Sequence, residues 1–453
     1  MAPPTAGSQG PTHVQNWLYA CVDANQTCTQ PFNVGISATW MASHVDWNEV
    51  YYDGSQDGTS VQLAAAGAKH IVAYLDPNIA TYCPVPGGYS VASPDFPENG
   101  TNCSGVISRF LHSENGSYAH AYQHQGNGDR LFDHADGLYG GQAQEPFFIG
   151  DPDLQAAFHA ATLADPYATD VFDDDGGGSY NCIADDGFCS GTYGAAHYAP
   201  PACGDGGGYW CYKYGETAIE WDAAPNPQQA YANDAIDLAN ASSKPVMGND
   251  GVGTDAYDLQ WVRDANVEGA MSEHTWISVS NPTAWIERAD DIMTYHAMGK
   301  FVVEEDGDAS RLMFQIASHW IVYDPVYSIE FLAEVNGASQ TAGGSDTTFP
   351  AQSIVPSNPL VATPPTSDVT VFAVQPGLFV REYATCYQAG APIGYCAAVV
   401  NATGSAMPLS GLTRSYSRAL VHNASATWAA GGRPLWGAAP TTIPANSGLI
   451  LAQ

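Results

Sequence analysis

Carboxylates gather at several points in this 453-residue chain where a strand would stop. TDVFDDD ends on Asp173-Asp174-Asp175 and runs into three glycines. GAMSEH ends on Glu273-His274, and KFVVEED on Glu304-Glu305-Asp306. Asp76 follows HIVAYL, and KPVMGND stops on Asn249-Asp250. Hydrolysis of a glycosidic bond needs two carboxyls flanking it. One donates a proton, and the other attacks the sugar or activates water. Crowding carboxylates in a partly dry cleft raises the pKa of one of them, which keeps that one protonated. The catalytic candidates are therefore the Asp173–Asp175 group, Glu273, and one of Glu304 and Glu305. The last two alternate faces along a strand, so only one can point inward. Asp76, Asp250 and His274 are candidate substrate contacts. Trp40, Trp47, Trp210, Trp221 and Trp276 could stack on the C–H faces of sugar rings, with core packing as the simpler role for each.

Other chemistries are weaker. The DDDGGG run also reads as a solvated turn or a structural calcium site. His120 and His124 stand four apart, and His44 lies two before Asp46. No H-x-H ends the first strand, so no catalytic metal is expected. There is no G-x-S-x-G elbow, no G-x-G-x-x-G after the first strand and no phosphate-binding loop.

The acids need elements to aim them. Strands are expected at 35–40, 70–75, 144–150, 169–175, 244–250, 267–274, 300–306 and 328–335. Helices are expected at 59–68, 151–164, 226–242, 255–265, 281–299 and 309–323. Eight strands alternating with helices predict a (β/α)8 TIM barrel, whose chemistry sits at the C-terminal ends of its strands. A doubly wound open sheet is the rival. After about residue 340 the chain turns rich in Gly, Pro, Ser and Thr, then shows short strands parted by turns. That texture predicts a small antiparallel β-sandwich. The expected organisation is an irregular segment at 1–34, the barrel at 35–340 and the sandwich at 341–453. A long loop at 77–128 and a Gly- and Tyr-rich segment at 176–214 would wall the cleft.

Asp plus Glu total 47 against 13 Lys plus Arg, a net charge of −34. Such a chain is repelled by nucleic acid and by anionic membranes. No run of 18 apolar residues predicts a membrane span. Ten cysteines sit in tight neighbours. Cys21 and Cys28, Cys83 and Cys103, and Cys386 and Cys396 read as local pairs, and Cys182, Cys189, Cys203 and Cys211 share one segment. An even count in such groups reads as a disulfide framework, with zinc the poorer alternative because no C-x-x-C occurs. Sequons for N-glycans stand at Asn25, Asn99, Asn102, Asn115, Asn240, Asn401 and Asn423. Cysteines and sequons together predict a secreted protein. MAPPTAGSQG has neither a charged start nor an apolar run, so it is not read as a signal peptide.

HIVAYLDPN, TDVFDDDGG, KPVMGND, VEGAMSEH and KFVVEED, with IPANSGLIL near the end, resemble secreted glycoside hydrolases built on a (β/α)8 barrel with a C-terminal β-sandwich. The endo-α-1,4-polygalactosaminidase relatives belong to this broad set. In such families G-V-F-x-D-D after the fourth strand carries one catalytic Asp, and a Glu on a later strand carries its partner. The resemblance implies Asp174 for the first role, with Asp173 or Asp175 if the register slips by one, and Glu273 for the second. This chain has Asp170 where the pattern has Gly, and three acids in a row. The reading is a secreted glycoside hydrolase acting on a polysaccharide or glycoconjugate. The alternative is an extracellular carbohydrate-binding or structural glycoprotein that keeps the barrel without the catalysis.

Overall fold

The computed structural model describes residues 10–20, 36–51, 58–75, 77, 79–84, 107, 110, 121, 132–133, 142–174, 176–178, 210–211, 226–249, 252–277, 279, 281–307, 310–332, 350–361, 367–421, 428 and 431–453. Eight parallel strands form one sheet in sequence order. They are β1 (Trp17–Tyr19), β2 (Trp47–Tyr51), β3 (His70–Leu75), β4 (Asp170–Asp174), β5 (Val246–Asn249), β6 (Val267–Ser272), β7 (Phe301–Asp306) and β8 (Ser328–Leu332). A parallel bridge between Asn16 and Glu330 joins the two ends of this order, with Glu330 N–H donating to the Gln15 carbonyl at 2.9 Å. This is the TIM barrel that the strand–helix alternation predicts.

Two strand assignments are corrected. GISATW is not a strand: Ser37 caps the Trp40 N–H, and α1 (Ala38–His44) follows. The first barrel strand instead lies in the segment read as irregular. QEPFFIG does not enter the barrel either. Gln142–Pro146 pairs antiparallel with Ile79–Pro84 in a separate four-stranded sheet. The second expected strand, HIVAYL, thus becomes the third, and WNEVY takes the second place.

The helices follow their caps. α2 (Gly58–Ala66) stops at Gly67, whose φ is +84°. Asp151 caps α3 (Pro152–Ala164), with proline in the first turn. Asn226 caps α4 (Pro227–Ala241), Asp255 caps α5 (Ala256–Asp264), and Asn281 caps α6 (Pro282–Ala297). α7 (Leu312–Val322) lacks a side-chain cap and is buried along almost its whole length. Among the described residues no helix is long and apolar enough to cross a membrane.

The chain divides into two compact units, 1–50, 61–71 and 269–453 in the first, 51–60 and 72–268 in the second. In the first unit, Leu18 and Val50 pack on Met41 of α1 and Leu63 of α2. This sets the outer face of β1 and β2, and alternation turns Trp17, Tyr19, Trp47 and Glu49 inward.

The same unit holds the C-terminal antiparallel sheet. Its principal strands are β9 (Ile354–Pro359), β10 (Leu378–Gln388), β11 (Ala391–Asn401), β12 (Arg418–Val421), β13 (Leu435–Ala438) and β14 (Ser447–Ala452). One face packs with Ile443 and Met407 of a two-stranded ribbon. On the other, α7 lies so close that a Cβ on Gly448 would meet the Met313 carbonyl at 2.2 Å. Leu449 and Leu451 face the ribbon side, and the alternating Gly448 serves the helix.

Cys386 and Cys396 form the expected hairpin disulfide between β10 and β11, with Cα atoms 6.0 Å apart. The side chains of the other eight cysteines lie outside the described residues, as do most of 77–128 and 176–214.

Candidate functional site

In the second unit, β4 settles which acid points inward. A Cβ on Gly248 would meet Trp261 of α5 at 2.3 Å, so that position of β5 faces the helix layer. Asp173 pairs with Gly248 and faces the same way; it is buried. Asp174 pairs with Asn249 and faces the barrel interior. Its carboxylate accepts from Asn249 Nδ2 at 2.7 Å on one oxygen and from the Tyr74 hydroxyl on the other. Tyr74 stands on β3, whose Phe172-paired register brings it to the same face. Asp174 keeps part of its surface exposed. Two donors on opposite oxygens fix the carboxylate plane without closing it off.

The glycines that follow are not a solvated turn. Gly176 is buried, and a Cβ there would meet the Asp173 carboxyl at 2.4 Å. Gly178 lies as close to the Tyr257 carbonyl of α5. Glycine is needed because the backbone passes between an acid and a helix. The calcium reading includes Asp175, which lies outside the described residues, as do Asp76 and Asp250.

In the first unit, Glu273 is exposed in the turn after β6. Its neighbour His274 has φ +52°, a left-handed conformation uncommon outside glycine. Three acids of β7 hold this turn. The Glu305 carbonyl accepts from Thr275 N–H at 2.9 Å. Asp306 Oδ1 accepts from Trp276 and Ile277 N–H at 2.9 and 3.1 Å. Glu304 Oε2 accepts from the Trp276 indole at 2.8 Å. Burial pushes the Asp306 carboxyl well above the usual carboxylate range, against its backbone hydrogen bonds. Glu304 and Asp306 thus share the outer face, which leaves the Glu305 side chain inward, at the position paired with Phe331.

Trp276 has 0% of its surface exposed and presents no ring to a ligand; its indole anchors the Glu273 turn. His274 is exposed beside Glu273. Trp40 stands on α1 rather than at a strand end. Its ring stacks on His44 at 4.4 Å and meets Trp428 edge-on at 5.5 Å. Trp47 opens β2 inside the core.

Three further inward-facing residues were not among the expected ones. Glu49 faces inward on β2, buried, and accepts from the Trp17 indole at 2.7 Å. Tyr74 and Asn249 clamp Asp174. The alternation in WNEVY could have revealed Glu49 once that segment was read as a strand. Nothing local marks Tyr74, because its partner lies 100 residues away.

No family model matches the chain, and no curated protein matches it. Among solved structures it is similar to a trehalulose synthase variant in complex with Tris, at 6% identity and a TM-score of 0.45, over 97% of this chain and 99% of that one. It is also similar to an isomaltulose synthase from a Klebsiella species, at 8% identity and a TM-score of 0.41, over 97% and 98%. An α-glucosyl transfer enzyme aligns at 9% identity and a TM-score of 0.38, over 98% and 99%.

Proposed function

We propose that this protein is a secreted glycoside hydrolase acting on a polysaccharide or glycoconjugate. The observation that carries the reading is Asp174: an inward carboxylate at the C-terminal end of a barrel strand, partly accessible, held through both oxygens by Tyr74 and Asn249. A carboxylate that accepts on both oxygens is arranged to attack or to accept a proton, so Asp174 is the nucleophile or base. Glu273, on the turn fixed by β7, is the general acid. Glu305 and Glu49 supply further inward acids. The hairpin disulfide supports an oxidising compartment. N-glycans are confined to exposed sequons such as Asn240. Asn401 has 0% exposure and donates to the Ser405 and Pro444 carbonyls, so it carries none in the folded state.

The test is a polysaccharide panel read by reducing-end release, with Asp174→Asn and Glu273→Gln alongside. Release by the wild type and by neither variant supports the reading. Full release by both variants overturns it.

A further inference from the structure

Two carboxylates stand side by side beneath α7. Glu304 on β7 and Glu330 on β8 are directly paired positions of neighbouring parallel strands, so they leave the sheet on the same side. They are 2% and 3% exposed. One imidazole serves them: His319 of α7 meets Glu304 Oε1 through Nδ1 at 2.8 Å, itself 1% exposed. Two buried carboxylates with one imidazole are neutral only when they hold two protons, one on His319 and one on a carboxyl. Removing both leaves two like charges facing each other in a dry environment.

We propose that Glu304, His319 and Glu330 form a single buried proton-binding site that locks α7, and with it the Glu273 turn, when protonated. The lock reaches outward on two sides. Glu304 also holds the Trp276 indole. At its C-terminal end α7 is tied to the antiparallel sheet, where Arg381 donates to the Ile321 and Tyr323 carbonyls and Tyr383 donates to the Trp320 carbonyl.

The electrostatics run the same way. Burial, then the Glu304 charge, raises Glu330 to about 7, with His319 and Gln352 opposing. Burial presses His319 down, but Glu304, then Glu330 and Asp306, outweigh it and raise the imidazole above 6.5. Both groups hold protons more tightly folded than unfolded. Their stabilisation is whole below the unfolded values, 4.5 for the Glu and 6.5 for the His. It is lost as pH rises through the folded ones. His296 of α6 opposes this in acid. Burial lowers it to about 4, with Asp324 opposing and His319 and Arg381 adding to the fall, so its contribution is present above 6.5 and lost as pH drops. Arg311, facing Asp306, and Tyr323, packed against His319, complete the charged and titratable surroundings.

Melting temperatures of wild type and Glu330→Gln, taken from pH 4.5 to 8 in high salt, test the site. The surface charge and His296 are common to both proteins, so the difference between the curves reads the site. The curves should nearly meet at pH 4.5. The variant should gain steadily to about pH 7.5, by on the order of 100-fold in the folding equilibrium. A pH-independent offset overturns the proposal. If the variant does not fold, native-state hydrogen exchange of the wild-type α7 amides decides. Their protection, corrected for intrinsic exchange, should fall above pH 6.5 as His319 loses its proton, and unchanged protection overturns the lock.

Discussion

Asp174 and Glu304 are both acids near the C-terminal ends of barrel strands, and they are used in opposite ways. Asp174 points inward, keeps solvent access and rests on two side-chain donors. Glu304 points outward, is sealed beneath helices, and is consumed by His319 and the Trp276 indole. One step of alternation separates the two uses. An acid on the inner face can meet a ligand, while an acid on the outer face must find its partners within the protein or be a liability.

The sharpest break of this comparison is in activity. Asp174→Asn should lower turnover on any cleaved glycan by about 10³-fold or more, with the melting temperature little changed. Glu304→Ala should do the reverse. Removing one partner of a buried pair strands the other, which costs about 3–5 kcal/mol, read from the urea midpoint, while turnover per folded molecule falls far less than in Asp174→Asn, only through the loosened Trp276 indole and Glu273 turn. Equal loss of turnover in both variants would erase the distinction between the two acids.

A smaller effect is expected at Gly448. Gly448→Ala puts a methyl against the Met313 carbonyl and should cost about 1–3 kcal/mol, again in denaturant. Tyr74→Phe removes the hydroxyl donor to Asp174 and should cost about 1 kcal/mol, with its larger signature in kcat rather than KM. Least affected should be Asp264→Asn. It breaks an ion pair with Arg263 at 2.6 Å that stands in solvent, and the melting temperature should not move.

Much of the barrel was legible because its later units are strongly patterned. Apolar β-branched runs ending in acid gave six of the eight strands, and Asp151, Asn226, Asp255 and Asn281 announced the helices that follow them. The early units misled. GISATW has the composition of a strand, yet Ser37 caps a helix there. WLY is too short to show a period, and its place in the sheet comes from pairing with β2. The aromatic residues misled for a related reason. Composition favours core packing for any single tryptophan without excluding a stacking role, and only burial put Trp276 in the core.

The sequence by itself determined the strand–helix rhythm, the excess of acid and which strands end in carboxylates, because these depend on residue type and local spacing. Tertiary structure decided which acid of each cluster faces inward. It set Asn249 and Tyr74 on Asp174, and placed the His319 imidazole on Glu304 with Glu330 paired beside it. Those outcomes depend on register between strands and on helices packed over them. Register is fixed by contacts between residues far apart in the chain, which no local window contains.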